Sequence, residues 1–281
     1  DTDNTPREDF GDYCRAPGAN WSILKLMGSP AKARWTLDNP DAGDTASRGM
    51  LRAVHCLVLE PHVFDRDFAL CTVRRDARTA TYQAWLADNE GKTALTQREY
   101  DQAQAMAAAV HSSPLTGPVF ASPTGRGEES IKWVDPTTGT TCKGRTDWQD
   151  DDPDGALRFD DLKSVPSVDP GEIGRMIVRM KWLGQFAHYI DGLRVLNPGR
   201  EVRCRIVCVE TAPPYDVGIF LLDDVALNAG EIMRRPLLNR FSECVASGVW
   251  PGRHQAPVYP DIPDYALPSI NFDNDEDFSH G

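Results

Sequence analysis

The chain has 281 residues, of which 41% are hydrophobic and 26% are charged, as is usual for a globular protein. No apolar run approaches the ~20 residues that cross a bilayer, and the N-terminal residues lack a signal-peptide pattern, so we expect a cytoplasmic protein. Seven cysteines without a CxxC pair argue against a zinc ribbon and against a disulfide framework. The formal net charge of −12 disfavours contact with nucleic acid without excluding local basic patches.

The first half of the chain is predicted to be mainly helical. The segment that contains His55 repeats apolar residues with the 3.6-residue period of a helix, and His55 lies at the edge of this stripe, where it can face a cleft. A later segment begins with the helix-capping pattern of Thr96 and Glu99. The predicted elements are an irregular segment over residues 1–20, a helix over Trp21–Leu37 interrupted near Ser29-Pro30, a helix over Ala46–Glu60, a strand over Phe68–Val73 and a helix over Thr96–His111.

The second half is predicted to contain both strands and helices. Turns rich in Asp and Gly separate three successive strands, as in hairpins, and Asp169 followed by Pro170 is typical of a helix start. The predicted elements are strands over Ser130–Val134, Thr140–Trp148 and Ala156–Val165, a helix over Asp169–Leu193, strands over Glu201–Glu210 and Val217–Leu222, a helix over Asp224–Ser247, and a Pro-rich and then acidic tail from Trp250. This order predicts an α/β fold in which a central mixed β-sheet is flanked by helices.

Two neighbouring predicted strands carry acidic residues that can meet at one edge of the sheet. Asp147 ends an Arg-Thr-Asp run, and Asp161-Leu162-Lys163 follows on the next strand. The two-residue period of a strand puts Asp161 and Lys163 on one face, with Leu162 packing behind. Two carboxylates suit a hard divalent cation, and an ammonium group beside them can orient water or stabilise developing charge. Taken alone, an Asp-x-Lys pattern is more often a surface ion pair.

A polar pair on the helix predicted after these strands is open to two interpretations. Gln185 and Tyr189 are four residues apart and so share one face of the helix. That face is predicted to lie roughly opposite an apolar stripe that includes Ile173, Met176 and Met180. The pair therefore belongs either to a solvated surface or to the wall of a cleft beside the acidic residues.

The ordered combination of these patterns resembles the exonuclease domain of phage and prophage RecE-type proteins. These proteins belong to the RecB-like branch of the PD-(D/E)xK nucleases, which includes the lambda-type exonucleases. The resemblance implies a single exonuclease domain over residues 1–281, with a PD-(D/E)xK nuclease core over 21–249 and a tail over 250–281. The blocks that carry it are Tyr13–Trp35, Gly49–Pro61, Glu128–Trp133, KGRTDW (Lys143–Trp148), DDLKS (Asp160–Ser164), QFAHY (Gln185–Tyr189), Trp250–Gly252 and Pro263–Tyr265.

The resemblance implies a role for each residue that matches a family motif. The implied metal ligands are His55, Asp147, Asp161 and the Leu162 backbone carbonyl, and either Glu128 or Glu129 would approach a second metal. The implied catalytic set consists of Lys163 with these acidic residues and His55, supported by Gln185 and Tyr189. The candidates for a 5′-phosphate pocket are Ser22, Lys32, Arg34 and Arg145. The implied cofactor is Mg²⁺, for which Mn²⁺ can substitute.

The resemblance also implies an activity and its partners. Enzymes of this kind digest linear double-stranded DNA in the 5′→3′ direction and leave 3′ single strands for recombination. They form homo-oligomeric rings in bacterial or phage-infected cells and do not bind a membrane. Their product passes to a single-strand annealing protein of the RecT/Redβ type. Two alternatives stay open, namely a RecB-like endonuclease or structure-specific DNase, and a catalytically silent DNA-binding module of the same fold. The intact Asp147, Asp161 and Lys163 set disfavours a silent module, whereas the net charge keeps it open.

Overall fold

A five-stranded sheet with helices on both faces dominates the computed structural model, which describes residues 10–39, 46–263 and 265. The helices are α1 (Phe10–Arg15), α2 (Trp21–Leu24), α3 (Pro30–Asp38), α4 (Ala46–Leu59), α5 (Phe64–Asp67), α6 (Ala80–Asp88), α7 (Gln97–Ser112), α8 (Gly117–Phe120), α9 (Pro170–Met180), α10 (Trp182–Leu196) and α11 (Asp224–Ser247). The strands are β1 (Phe68–Leu70), β2 (Thr93–Leu95), β3 (Arg126–Val134), β4 (Thr141–Asp151), β5 (Leu157–Val165), β6 (Val202–Glu210) and β7 (Val217–Leu221). Residues 1–9 of the segment predicted to be irregular over 1–20, and residues 264 and 266–281 of the predicted tail, lie outside the described residues.

The sheet has the order β3-β4-β5-β6-β7 and is mixed. β3, β4 and β5 pair as antiparallel hairpins, β5 and β6 run parallel, and β6 and β7 are antiparallel. The hairpin turns contain Gly139 and Gly155, whose φ angles of 67° and 88° lie in the left-handed region that favours glycine. The parallel pair requires a crossover, which α9 and α10 supply. These pairings confirm the predicted mixed sheet flanked by helices.

Two apolar clusters cover the two faces of the sheet. One, here the α10 layer, joins the sheet to α2, α9, α10 and α11, and it includes Phe186. The other, here the α4 layer, joins the sheet to α4, α5, α7 and α8, and it includes Val54. β5 contributes Phe159 to the α10 layer and Leu162 to the α4 layer, because successive side chains of a strand point to opposite faces. Each polar residue of β5 therefore faces one layer or the other according to its position.

The segment predicted as one helix over Asp169–Leu193 consists of two helices. α9 ends at Met180 because Lys181 has φ 58° and ψ 38°, and the Lys181 amide bonds to carbonyls one turn earlier. α10 begins immediately afterwards with Trp182, which is buried in the α10 layer. The predicted continuous apolar stripe is therefore wrong, and Met180 is 46% exposed.

The same break corrects the predicted orientation of Gln185 and Tyr189. Tyr189 is 9% exposed and belongs to the apolar cluster of the α10 layer, and Gln185 is partly buried. The predicted orientation assumed a rotation of about 100° per residue along one continuous helix. The left-handed backbone of Lys181 interrupts this rotation, so the side chains of α10 point in other directions than predicted. Both side chains consequently face the sheet, and the interpretation as a solvated surface is wrong.

Five short elements were not predicted, namely α1, α5, α6, α8 and β2. α1 lies within the segment predicted to be irregular, and α6 and β2 lie between a predicted strand and a predicted helix. β1 and β2 have three residues each and pair with one another in parallel, so neither shows a full run of alternation, and β1 ends at Leu70 rather than Val73. α6 has no buried residue and hence no apolar stripe. Within the described ranges, no helix is long and apolar enough to cross a membrane.

The packing of α2 on α10 leads to a prediction about stability. A Cβ atom at Gly184 would overlap the Trp21 ring, so Gly184→Ala should destabilise the protein by about 1–3 kcal/mol. Gly174→Ala is the matched control, because Gly174 lies on α9 with open space around it, and alanine there should stabilise the protein by about 0.5–1 kcal/mol. Urea unfolding of both variants measures the difference, and equal effects would show that the Trp21 contact is not close.

Candidate metal centre and active site

The strands β4 and β5 separate at Asp147 and Asp161. Their ladder ends with the pair of Trp148 and Asp160, after which β4 continues beside β3 and β5 beside β6. At this point the Oδ2 atom of Asp147 accepts a hydrogen bond of 2.7 Å from the Leu162 amide. A side chain thus satisfies a main-chain donor that the ladder leaves unpaired. We call the gap bounded by Asp147 and Asp161 the fork.

Side chains from both helical layers reach the fork. From α4, the Nδ1 atom of His55 lies 3.7 Å from Oδ2 of Asp147. From α10, the Nε2 atom of Gln185 donates a hydrogen bond of 3.0 Å to Oδ1 of Asp161 and lies 3.3 Å from the Tyr189 hydroxyl. A continuous sheet would keep these helices apart. The fork instead lets both helices contact carboxylates of adjacent strands.

The position of α10 over β4 depends on a glycine. The Tyr189 ring lies so close to Gly144 that a Cβ atom there would come within 2.8 Å of it. Next to Tyr189, the buried His188 ring makes a hydrogen bond of 3.1 Å with the Lys143 carbonyl oxygen. These contacts fix α10 relative to β4 and so hold Gln185 at the fork.

Glu128, rather than Glu129, lies beside His55 and Asp147. One possible ligand atom from each of Glu128, His55 and Asp147 lies within 4.8 Å of the other two. Glu128 stands opposite Asp147 in the β3–β4 register, between the pairs of Gly127 with Trp148 and of Glu129 with Thr146. The sequence left the choice between the two glutamates open, because only the backbone geometry distinguishes them.

The Lys163 ammonium group contacts the carboxylate of Asp161, which precedes it by two residues on the same face of β5. Its Nζ atom also lies 5.6 Å from the centre of the Trp182 ring. Burial alone would lower the pKa of Lys163, but the charges of Asp161 and Asp147 outweigh burial and raise the pKa above its ordinary value. Lys163 is therefore charged at neutral pH, which suits it to stabilise an anion and not to act as a base.

Negative charge in the fork is incompletely neutralised. Burial and the neighbouring Asp161 carboxylate raise the pKa of Asp147, and burial and Asp147 raise the pKa of Glu128. Burial lowers the pKa of His55, so its imidazole is neutral and keeps a lone pair. Buried carboxylates and a neutral imidazole are ligands that divalent cations take, and a cation would relieve the repulsion between the carboxylates. The residues present thus fit a divalent metal ion.

The four candidates for a phosphate pocket are not equivalent. Ser22, Lys32 and Arg34 lie exposed on α2 and α3, where the Arg34 guanidinium pairs with Asp38. Arg145 is the candidate that contacts the fork, because its Nε atom donates a hydrogen bond of 2.6 Å to Glu128.

Arg145 also approaches an acidic residue that the sequence analysis missed. Its Nη2 atom lies 3.9 Å from Oε2 of Glu60. The available signal was the position of Glu60 at the end of the predicted helix of His55, immediately before Pro61.

The acidic run after Asp147 is an ion-pair network and not a second metal site. Arg158 contacts Asp150, Asp152 and Asp160, and the guanidinium of Arg205 donates to Asp160 over 2.5 Å. Asp160 faces away from Asp161, as alternation along β5 requires. These carboxylates are neutralised by arginines of β5 and β6, whereas those of the fork are not.

This contrast predicts opposite effects for two aspartates of the same strand. Asp147→Asn should stabilise the metal-free protein by on the order of 1 kcal/mol, because asparagine removes the penalty of burying a second carboxyl group beside Asp161 while its amide oxygen still accepts from Leu162. Asp150→Asn should destabilise it by a similar amount. Burial alone would raise the pKa of Asp150, but hydrogen bonds from Thr124 and Ser122 and the charge of Arg158 outweigh it and lower the pKa.

Urea unfolding at pH 7 in the presence of a chelator measures both variants. Destabilisation by Asp147→Asn equal to that by Asp150→Asn would contradict uncompensated charge at the fork.

Comparisons with known proteins agree with this geometry. Residues 26–257 match a family described as "PDDEXK-like domain of unknown function (DUF3799)". Among solved structures, the crystal structure entitled "Putative exonuclease" from Eubacterium rectale superimposes with a TM-score of 0.60 at 13% sequence identity, covering 95% of this chain and 100% of that chain. At this identity the likeness concerns the fold alone. A search of curated proteins found no match. The chain therefore belongs to the PDDEXK-like family DUF3799, within the PD-(D/E)xK nuclease superfamily.

Proposed function

We propose that the chain is a metal-dependent exonuclease that digests linear double-stranded DNA in the 5′→3′ direction. The observation that carries the proposal is the fork, where Asp147, Asp161 and Lys163 meet beside His55. Hydrolysis of a phosphodiester requires a reactive water and stabilisation of the negative charge that develops on the phosphoryl oxygens. The fork supplies carboxylates for a cation and one fixed positive charge.

Asp147 and Asp161 would hold the cation, with His55 and the Leu162 carbonyl as further ligands. When bound, Mg²⁺, or Mn²⁺ in its place, lowers the pKa of water and polarises a phosphoryl oxygen. The neutral His55 imidazole and the raised pKa of Asp147 support this assignment, because a buried lone pair and a carboxylate close to a second carboxylate are both groups that a cation would stabilise.

Lys163 would orient the attacking water and stabilise the negative charge of the transition state. Its contact with Asp161 holds the ammonium group at the same carboxylate that would ligate the cation. A Lys that stays protonated contributes as a fixed charge or as a hydrogen-bond donor.

Gln185 and Tyr189 would position Asp161. The Gln185 amide donates to Oδ1 of Asp161 and so restricts the rotation of that carboxylate. Burial raises the pKa of Tyr189 well above its ordinary value, so the phenol stays protonated beside Gln185. Neither group has to change its protonation state for this role.

The finer features of the proposal are supported by the resemblance to RecE-type exonucleases. They are the 5′→3′ direction, the linear duplex substrate, a homo-oligomeric ring, a single-strand annealing protein as partner, and a 5′-phosphate pocket that draws on the exposed candidates Ser22, Lys32 and Arg34. The family and the structural neighbour support nuclease activity as such. Direction of digestion and strand choice therefore need a direct test.

Linear and closed circular duplexes, labelled separately at the 5′ and 3′ ends, distinguish the alternatives. With Mg²⁺ the wild-type protein should release 5′ label from the linear duplex and leave circles intact, and chelation should abolish cleavage. Lys163→Ala and Asp161→Ala should each reduce the rate at least about 10²-fold, because each removes a group that stabilises charge in the transition state.

Lys132→Ala, an exposed lysine on β3, is the control and should digest at the wild-type rate. Cleavage of circles would replace the exonuclease with an endonuclease, and first release of 3′ label would reverse the polarity. Full activity of Lys163→Ala would show that the chemistry lies elsewhere, and the absence of any cleavage by the wild-type protein would favour a silent DNA-binding module.

A further inference from the structure

We propose that Arg145 is a positioning residue that presents Glu128 to the fork as an additional cation ligand, rather than a phosphate-binding residue. This inference rests on the proposed metal-dependent function of the same site. It combines a backbone conformation, an ion pair and a charge balance, all of which centre on Glu128.

The backbone at Glu128 is unusual for a residue with a side chain. Its φ angle is 54°, a left-handed value that it shares, among described non-glycine residues, with Lys181 and Tyr215. The ladder pairs Gly127 with Trp148 and resumes in the same register beyond Glu128. Such a conformation persists in a strand only where other contacts enforce it, and it is concentrated at functional sites. Here it directs the Glu128 side chain towards His55 and Asp147.

Arg145 supplies the contacts that hold the Glu128 side chain. Its Nε atom donates to Oε2 of Glu128 over 2.6 Å, and its Nη1 atom lies 3.5 Å from the hydroxyl of Ser130, the cross-strand partner of Arg145. Its Nη2 atom faces Glu60 at 3.9 Å. The Arg145 side chain is 11% exposed, so the guanidinium is confined between β3 and the end of α4. It therefore fixes the direction in which the Glu128 carboxylate points.

The charge balance explains why a cation is needed beside this glutamate. Glu128 and Asp147 offer ligand atoms within 4.8 Å of one another, and Arg145 places a positive charge beside Glu128. A carboxylate has about four lone-pair positions, so Glu128 can accept from Arg145 and still ligate a metal ion. Arg145 thus contacts Glu128 without occupying all of its lone-pair positions.

The same geometry disfavours phosphate binding by Arg145. A guanidinium that faces the carboxylates of both Glu128 and Glu60 has its positive charge largely neutralised. A phosphate would have to displace at least one of these carboxylates, whereas a cation at the fork would leave the Arg145–Glu128 pair in place.

Titration of Mn²⁺ into DNA-free protein, followed by electron paramagnetic resonance of the unbound ion, tests the assignment. Glu128→Gln should weaken Mn²⁺ binding by at least about tenfold. Glu129→Gln, one residue away on the same strand, is the matched control and should bind Mn²⁺ as the wild type does. Arg145→Gln should also weaken Mn²⁺ binding. Arg145→Lys should retain part of the affinity, because lysine keeps the positive charge but lacks the planar guanidinium group.

Substitution of Glu128 by glycine distinguishes a metal ligand from a residue that only stabilises the fold. Glu128→Gly relieves the left-handed backbone, so its melting temperature should equal or exceed that of the wild type while its Mn²⁺ affinity falls. A merely structural Glu128 would lose melting temperature and keep the affinity. Wild-type Mn²⁺ affinity in Glu128→Gln would overturn the assignment of Glu128. If Arg145→Gln kept its Mn²⁺ affinity but lost a preference for DNA with 5′-phosphorylated ends, Arg145 would be assigned to a phosphate pocket instead.

The two proposals fail in different ways. If Glu128-dependent Mn²⁺ binding is found in a protein that cuts no DNA, the proposed function is wrong and this inference stands. If the wild-type protein cuts DNA and Glu128→Gln binds Mn²⁺ normally, this inference is wrong and the function stands.

Discussion

The hydrogen bond from the Leu162 amide to the Asp147 carboxylate is the interaction on which the site depends. Adjacent strands that separate would leave main-chain donors buried without a partner, which is unfavourable by about 1–3 kcal/mol for each group. Asp147 removes this penalty with its own side chain and thereby stabilises the fork. Because the fork interrupts the sheet, His55 of the α4 layer and Gln185 of the α10 layer both reach its carboxylates. In the proposed function, a single side chain would thus serve both the fold and the chemistry.

The surrounding structure offsets the repulsion that the fork creates. The carboxylates of Asp150, on the same strand as Asp147, and of Asp160, the cross-strand partner of Trp148, are neutralised by Arg158, which ties β4 to β5 immediately beyond the point of separation. Arg205 extends this network to β6. The strands are therefore joined by ion pairs on one side of the fork, whereas at the fork itself the two carboxylates of Asp147 and Asp161 lie beside one lysine, Lys163. This asymmetry keeps the acidic residues close without a cation.

The sequence was sufficient for those features that follow a simple period. The strand period placed Asp161 and Lys163 on one face of β5 with Leu162 on the other, and the cap at Thr96 and Glu99 marked the start of α7. It was insufficient where the backbone departs from a period. The left-handed backbone of Lys181 divides the predicted helix in two. Neither proline nor glycine stands at this position, so the sequence carries no signal of the break.

The choice between Glu128 and Glu129 illustrates the same limit. Regular alternation assigns neighbouring residues of a strand to opposite faces but does not say which of them bends out of the ladder. The left-handed conformation of Glu128 is imposed from outside the strand, by Arg145 on β4 and by the end of α4. Contacts with other elements therefore decide which of the two glutamates faces the fork. Such contacts cannot be predicted from the pattern of a single sequence.

The net charge of −12 is less of an obstacle to DNA binding than composition suggests. Asp150, Asp152 and Asp160 lie within a few ångströms of arginines, so their fields cancel over distances shorter than the Debye length of about 8–10 Å. The carboxylates of the fork do not cancel in this way, and they would repel a phosphodiester. A divalent cation bound there would offset this negative charge, because it would add two positive charges beside Lys163. In the proposed function, the acidity that would draw a cation into the fork would thus make the approach of DNA conditional on that cation.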